Sequence, residues 1–507
     1  MRFVPLLTAV AMLPTVAGPS QGQSAPTAIA PPRTASLAEV TARTDAIFEA
    51  MVRDKMVPGL VYGIVKDGRL VHVRPLGVRD AAGGQPVTAD TRFRIASMSK
   101  AFTAMAILKL RDSGRLSLDT PAETYVHGLR PWRYPTSDSP KITVRDLLHH
   151  SAGFVEDNPW GDRQQPISEN AFSAMLQAGV PFANAPGLTM EYSNLGYALL
   201  GRIVGNASGL RYQDYIGREL LTPLGMRSTG YDIFASPQAD RARGSRWQDE
   251  RWVREPDMAD GAFGAMGGME TTANDYWRWM AFLLSAWPAR DGAEAGPVRR
   301  ATAREIVRGS NFVQTRMRPA ALGEPCRQAV AYAMGWNVVD DCDLGRVVTH
   351  GGGYPGFGSI VMLLPNAGVG VFAFTNRTYT GAGQQAFQTL AALRGAGLAT
   401  DRTQPLSPGL AQAYAAAKTA WTAGDATRAP LANNVLLDRD AARRRADIAA
   451  LKRQVGACAM AEPIVPISAM EGRFTWACAK GSVTGRVQRA PTPALSVQVL
   501  EFNSARP

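Results

Sequence analysis

The sequence predicts an α/β protein: an antiparallel sheet flanked by helices, a mostly helical lobe beside it, and a small α+β module at the C-terminal end. Three observations carry this. Short apolar, strand-like runs cluster at two distant places, within 60–77 and 346–376; more than 200 residues of mainly helical pattern separate them; and a break near 396–408 precedes a second, smaller set of helices and strands. Strands at both ends enclosing helices imply one α/β layer, a helical lobe and a cleft where they meet.

Taken in order, residues 1–22, opening MRFVPLLTAVAMLPTVAG, combine one positive charge, a short apolar stretch and small residues ahead of polar QGQSAPTAIAPPRTAS. That is the layout of a secretory signal over 1–22 and a disordered spacer over 23–36, with cleavage after Ala17 or a few residues later. The apolar stretch falls short of the roughly 20 residues a membrane span needs, so no stable span is expected. A secreted or periplasmic location follows as the expectation. The four cysteines agree with it: Cys326 and Cys342 close one short loop and Cys458 and Cys478 another, as two local disulfides in an oxidising compartment would. With no CxxC spacing and five scattered histidines, no metal site is expected.

Residues 37–57 have helical periodicity and stop at Pro58 and Gly59. LVYGIV, the turn residues Lys66, Asp67 and Gly68, and RLVHVRPLG read as a hairpin. Downstream, RVVTH, SIVMLL and VGVFAFTN read as further strands of that sheet, separated by Gly, Pro and Asn turns. The main domain is thus placed at 37–395, a linker at 396–408 (AGLATDRTQPLSP), and the module at 409–507. In the module, LAQAYAAAKTAWTAG and AARRRADIAALKRQ read as helices, FTWACAKGSVTGRV and ALSVQVLEF as strands.

The length of 507 residues favours two or three domains, and 46% hydrophobic with 19% charged residues suits a globular protein with a large core. The net charge of +12 is uneven, because residues 401–507 carry 14 Lys plus Arg against 8 Asp plus Glu. Aspartates interleave with the arginines in DRDAARRRADIAALKRQ and no nucleic-acid motif accompanies them, so a solvated basic helix face is the reading and no nucleic-acid partner is expected.

The chemistry concentrates first in RIASMSKAF, residues 94–102, ahead of the apolar AFTAMAIL. Ser97 and Lys100 stand at i, i+3 and so share a helix face. A serine hydroxyl needs a neighbouring base to become a nucleophile, and burial lowers a lysine's pKa towards that task. The helix N-terminus adds free N–H groups and positive potential. In MEYSNLGYALLG, Tyr192 can relay a proton and Asn194 can orient the lysine or hold a substrate carbonyl. In THGGGYPGFGS, His350, Gly351, Gly352 and Gly353 end a strand; glycines there allow close approach of a substrate, and a strand N–H can complete an oxyanion hole. His149 and His150 in LLHHSAG read as structural caps rather than members of a triad. Asp112 and Asp119 read as cap and turn residues, and Trp160 and Trp336 are candidates for an acyl pocket.

With these three motifs in this order, the chain resembles the serine β-lactamase and penicillin-binding protein superfamily, in the branch of class C β-lactamases, D-aminopeptidases and family VIII-type esterases. VRDLLHHSAGF, PLGM at 223–226 and GGMETTANDYWRWM at 267–280 extend the resemblance over about 40–390. It implies a β-lactamase/transpeptidase-like fold and no cofactor. It further implies Ser97 as acylated nucleophile, Lys100 as its base, Tyr192 as acid/base, the N–H groups of Ser97 and Gly353 as oxyanion hole, and Asn194, His350, Gly351 and Gly352 as substrate contacts. The motif departs from the family at its third element, where His350-Gly351-Gly352 replaces Lys-Thr-Gly and offers less to a substrate carboxylate. The expected function is therefore an exported serine hydrolase acting on a small-molecule ester, amide or D-amino-acid peptide bond. β-Lactamase or DD-carboxypeptidase activity, and a non-turnover penicillin-recognising envelope sensor, are the alternatives.

Overall fold

The computed structural model describes residues 35–504, so the expected signal and nearly all of the spacer lie outside the described residues. Helix α1 (Leu37–Arg53) starts on Ser36, whose hydroxyl accepts the Glu39 N–H while the Glu39 carboxylate accepts the Ser36 N–H, a reciprocal cap. Strands β1 (Gly59–Lys66) and β2 (Arg69–Gly77) form the hairpin. Its turn residues Asp67 and Gly68 both take positive φ, 50° and 75°, the conformation a two-residue hairpin turn requires. The helical lobe and its borders contribute α2 (Lys100–Asp112), α3 (Asn194–Ser208) and α4 (Ala273–Leu284). The chain then lays down β3 (Asn311–Met317), β4 (Arg327–Tyr332), β5 (Asn337–Asp341), β6 (Gly345–Tyr354), β7 (Phe357–Leu364), β8 (Val369–Thr375) and α5 (Gly383–Gly395).

These eight strands form one antiparallel sheet in the order β2-β1-β8-β7-β6-β5-β4-β3. The chain's two strand groups meet where β1 pairs with β8, from Leu60 opposite Thr375 to Lys66 opposite Val369. One face is covered by α1 and α5, with Phe48 stacked on Tyr62 at 3.8 Å and Leu390 and Leu393 fully buried. The other face meets α2 and α4, where Phe102 stacks on Trp279 at 4.2 Å. Each fully buried Leu, Ile or Phe contributes roughly 1.5–3 kcal/mol over its exposed state, so an apolar α2 is fixed at the centre of the molecule.

The fold class is that expected from sequence, with two differences in its sheet. Strands β3 to β5 fall in the stretch read as mainly helical. β3 is a largely exposed edge strand, and β4 alternates exposed and buried residues with Arg327 and Gln328 among them, so neither presents an apolar run. Strand β6 also does not end at His350 but continues through the three glycines, paired to β7 as far as Tyr354 opposite Phe357.

The C-terminal module has a separate core. Helices α6 (Pro408–Ala423) and α7 (Ala441–Val455) cover an antiparallel sheet containing β9 (Glu471–Cys478), β10 (Gly481–Arg489) and β11 (Val497–Ser504). Trp421, Phe474 and Trp476 fill its centre. Arg402, in the connecting segment, donates to Asp67 and to the Trp287 carbonyl, which seats that segment on the main domain. Both disulfides form: Cys326–Cys342 between β4 and β5, and Cys458–Cys478 across a strand pair. Among the described residues no helix is long and apolar enough to cross a membrane.

The Cys458–Cys478 bond closes a sequence separation of 20 around α7's exit and β9. Removing it by Cys458→Ala with Cys478→Ala should lower the module's stability by about 3 kcal/mol through the freed unfolded chain. Urea unfolding followed by tryptophan fluorescence measures this.

Candidate active site

Ser97 sits in a 3-10 turn, Ala96–Ser99, that runs directly into α2. The sequence spacing suggested an ordinary helix start; the tighter turn is better suited to the pair, because residues i and i+3 eclipse in a 3-10 turn. Lys100 therefore stands over Ser97, with Nζ 3.1 Å from Oγ. The turn is held in a strained form, Ala96 having φ 48°. Ser99 Oγ donates to the Ala96 carbonyl and accepts the Met269 N–H, and Ser359 Oγ donates to the Ile95 carbonyl.

Lys100 is 0% exposed. Besides Ser97, its Nζ reaches Asn194 Oδ1 at 2.7 Å and the Met266 carbonyl at 2.8 Å, and it lies over the rings of Tyr192 and Tyr197. A neutral amine has two N–H donors and one lone pair. Two neighbours, the amide oxygen and the carbonyl, can only accept, and the third is a hydroxyl that can donate. The surroundings thus accommodate the uncharged amine, with Ser97 Oγ free to donate to its lone pair. Burial pushes the Lys100 pKa down to about 7, against the opposing pull of Asp162 and Asp157.

Tyr192 and Asn194 arrive together because Ser193 between them caps α3, its hydroxyl accepting the Gly196 N–H. Burial holds the Tyr192 phenol well above its usual pKa, while a hydrogen bond with Ser97 works the other way, so the phenol keeps its proton. Asn194 is 0% exposed. It contacts the lysine, and its Nδ2 donates to Asn158. Of the two roles expected for it, the lysine contact is the one this geometry displays. Asp157 fixes this corner by accepting the N–H groups of Asn194 at 2.6 Å and Leu195 at 2.9 Å and the Ser193 hydroxyl.

On the sheet side, β6 pairs with β5 only up to Thr349 opposite Asn337, so the edge of residues 350–353 has no strand partner there and faces the cleft. The Gly353 N–H belongs to this segment. A Cβ at Gly352 would fall 2.3 Å from the Ile95 carbonyl and 2.1 Å from Ser359 Oγ. Gly352 therefore packs against the Ser97 turn, whereas Gly351, Gly353 and His350 line the cavity. His350 Nδ1 lies 2.6 Å from the Gly351 carbonyl and must carry the proton, leaving Nε2 to accept the Tyr332 hydroxyl at 3.2 Å. Burial, reinforced by Lys100, lowers its pKa to about 4, so it is a neutral ring at physiological pH.

The cavity measures about 450 Å³ and is lined by Ser97, Asn158, Pro159, Asp162, Tyr192, Asn337, His350, Gly351, Gly353 and Tyr379. Neither indole singled out by sequence lines it: Trp336 is 0% exposed, and Trp160 lies outside it, edge-on to Phe263. His150 Nδ1 accepts the Ser193 N–H and its ring packs on Tyr192 at 4.4 Å, while His149 bonds Ser310, so both are supports. Asp112 takes the Thr302 hydroxyl and Asp119 pairs with Arg145, both away from the cavity. Asp157, Asp162 and Tyr379 escaped sequence reading. EDNPWGD looks like an ordinary polar loop, and only its Asp-Asn-Pro capping pattern hinted at structured backbone.

An antiparallel sheet and a helical lobe, with the Ser97 turn between them, define a β-lactamase/transpeptidase-like fold. The chain belongs to the Beta-lactamase family, whose sequence pattern matches residues 44–395. It is 30% identical over 213 residues to Esterase EstB of Burkholderia gladioli, covering 40% of this chain and 54% of that protein, so the chain spans little more than half of that relative's length. The solved octameric penicillin-binding protein homologue from Pyrococcus abyssi aligns over 89% of this chain and 96% of its own, with TM-score 0.60 and 20% identity. That is more than residues 1–407 can supply, so the likeness in fold extends into the C-terminal module. A class C beta-lactamase covers 70% of this chain and 96% of its own, with TM-score 0.56 and 20% identity.

Asp157 satisfies the first turn of α3 from a loop nearly forty residues earlier. Asp157→Ala should destabilise the main domain by about 2 kcal/mol, the upper range for a lost helix cap. Equilibrium urea denaturation of the two proteins checks it.

Proposed function

We propose that the protein is an exported serine hydrolase that cleaves an ester, amide or D-amino-acid peptide bond through an acyl-enzyme on Ser97. The observation that carries this reading is the enclosed Lys100 amine, 3.1 Å from Ser97 Oγ and brought to a pKa of about 7. Neutral Lys100 takes the Ser97 proton as Oγ attacks the scissile carbonyl. The oxyanion of the tetrahedral intermediate is received by the N–H groups of Ser97 and Gly353, an effect typically worth roughly 3 kcal/mol per donor. Tyr192, protonated and in contact with Ser97, gives a proton to the leaving group and recovers one from the Lys100 ammonium. In the second half a water replaces the leaving group, and the same two residues run in reverse to free the acid and restore Ser97.

The family resemblance and the esterase relative support hydrolysis as the class. Neutral His350, with both ring nitrogens engaged, supports esters or amides over β-lactams and DD-peptides, since it offers no cation to a substrate carboxylate. Export rests on the character of residues 1–22.

The test is turnover of a chromogenic short-chain ester and a chromogenic β-lactam, followed in parallel by intact-protein mass spectrometry. Steady ester turnover is expected, falling by about a thousandfold or more in Ser97→Ala. A lasting adduct without turnover would instead mark a penicillin-recognising sensor, and undiminished turnover in Ser97→Ala would discard the assignment of Ser97. Because the base acts unprotonated, kcat/KM should climb with pH through about 7 and level off above it.

A further inference from the structure

Asp162 is 4% exposed and lines the same cavity as Ser97. One of its oxygens, Oδ2, accepts the Tyr379 hydroxyl at 3.0 Å. Among the described residues no hydrogen bond reaches Oδ1, and that atom is not sealed off from solvent, so this cavity-lining carboxylate keeps an acceptor oxygen without a protein donor. The other buried carboxylate nearby, Asp157, is occupied by Asn194, Leu195 and Ser193 and does not line the cavity. No Lys or Arg lines it either; Arg163, next to Asp162 in sequence, is exposed, and Lys100 is enclosed behind Ser97.

A buried carboxylate without a cationic partner is costly unless something compensates it. Burial raises the Asp162 pKa to about 6, with Asp157 adding to this and Lys100, the Tyr379 hydroxyl and Arg163 opposing it, so at neutral pH the group is still mainly ionised. A substrate carboxylate entering this cavity meets like charge and no cation. A substrate ammonium meets an unpaired acceptor.

We propose that Asp162 is a specificity-determining residue that receives a cationic amine on the substrate, selecting esters or amides that carry an ammonium group near the scissile carbonyl. This deepens the hydrolase reading of Ser97 and rests on it. Tyr379, reaching across from the segment after β8, engages one oxygen and leaves the other without a protein donor.

The test reads recognition apart from turnover, by calorimetric binding to the full-length Ser97→Ala protein. The probes are alanine p-nitroanilide in both enantiomers and the matching N-acetyl and N-succinyl derivatives. The free amine should bind about tenfold or more tightly than the N-acetyl form, and the N-succinyl form most weakly. Adding Asp162→Asn, which still accepts from Tyr379, should bring amine and N-acetyl forms within about twofold, with melting curves showing that the fold is kept. Lowering the pH from 7 to 5 should erode the preference only where Asp162 is present, as its carboxylate protonates while the probe's amine stays charged. Equal binding of the forms, no binding of the amine, or a preference that survives Asp162→Asn would each overturn the proposal. Loss of neutral-ester turnover in the unaltered protein with the amine preference intact would overturn the hydrolase reading instead.

Discussion

The structure is organised around an amine with no contact with water. Lys100 Nζ belongs to α2, its acceptors come from the start of α3 and from Met266 near the start of α4, and its third neighbour is the serine of the preceding turn. Burying the ammonium form costs several kcal/mol, which its acceptors and the two nearby aspartates offset only in part, so its pKa stays lowered, at about 7. Two acceptors and one hydroxyl also accommodate the neutral form. The packing that buries α2 on all sides is therefore also what favours an unprotonated amine beside the serine.

Around that amine the histidines and tyrosines are kept uncharged by the same burial. His150 and His350 are depressed below their usual range, and Tyr192 and Tyr332 are held above theirs. Asp157 and Asp162 pull the other way on Lys100, and without them desolvation would carry its pKa lower still. A base whose pKa lies far below the working pH is a weak one, so the pull of the two aspartates favours the role proposed for the amine.

How much of this was legible follows from distance along the chain. Ser97 and Lys100 stand three residues apart, so spacing and the apolar run after them foretold contact and burial. Tyr192 and Asn194 flank a helix cap, another local signal. The hairpin of β1 and β2 was marked by Asp67-Gly68. By contrast, Asp162 meets Tyr379 across 217 residues, and Asp157 caps a helix that begins 37 residues after it. Neither pairing has a local pattern, because loop residues gain their partners only when the lobe closes on the sheet. β3 and β4 stayed hidden for a different reason: β3 is an exposed edge strand and its neighbour β4 buries only alternate residues, so neither carries an apolar run.

The glycines of β6 show how a motif's meaning changes once its neighbours are known. In sequence, Gly351 to Gly353 suggest room for a substrate. In the fold, Gly352 makes room for the nucleophile turn itself, whose Ile95 carbonyl and Ala96 methyl lie 2.3 and 3.1 Å from where its Cβ would be. That turn holds Ala96 at positive φ, a strain of roughly 1–2 kcal/mol for a residue with a Cβ. Strain of this kind persists only where the surroundings over-determine it. Here Ser359 on β7, Ser99 within the turn and the bare backbone of Gly352 do so from three directions. The sheet thus positions Ser97 by pressing on the residues before it, while the helical lobe positions Lys100 by hydrogen bonds from behind. The short distance between the two side chains is the point where these independent constraints meet.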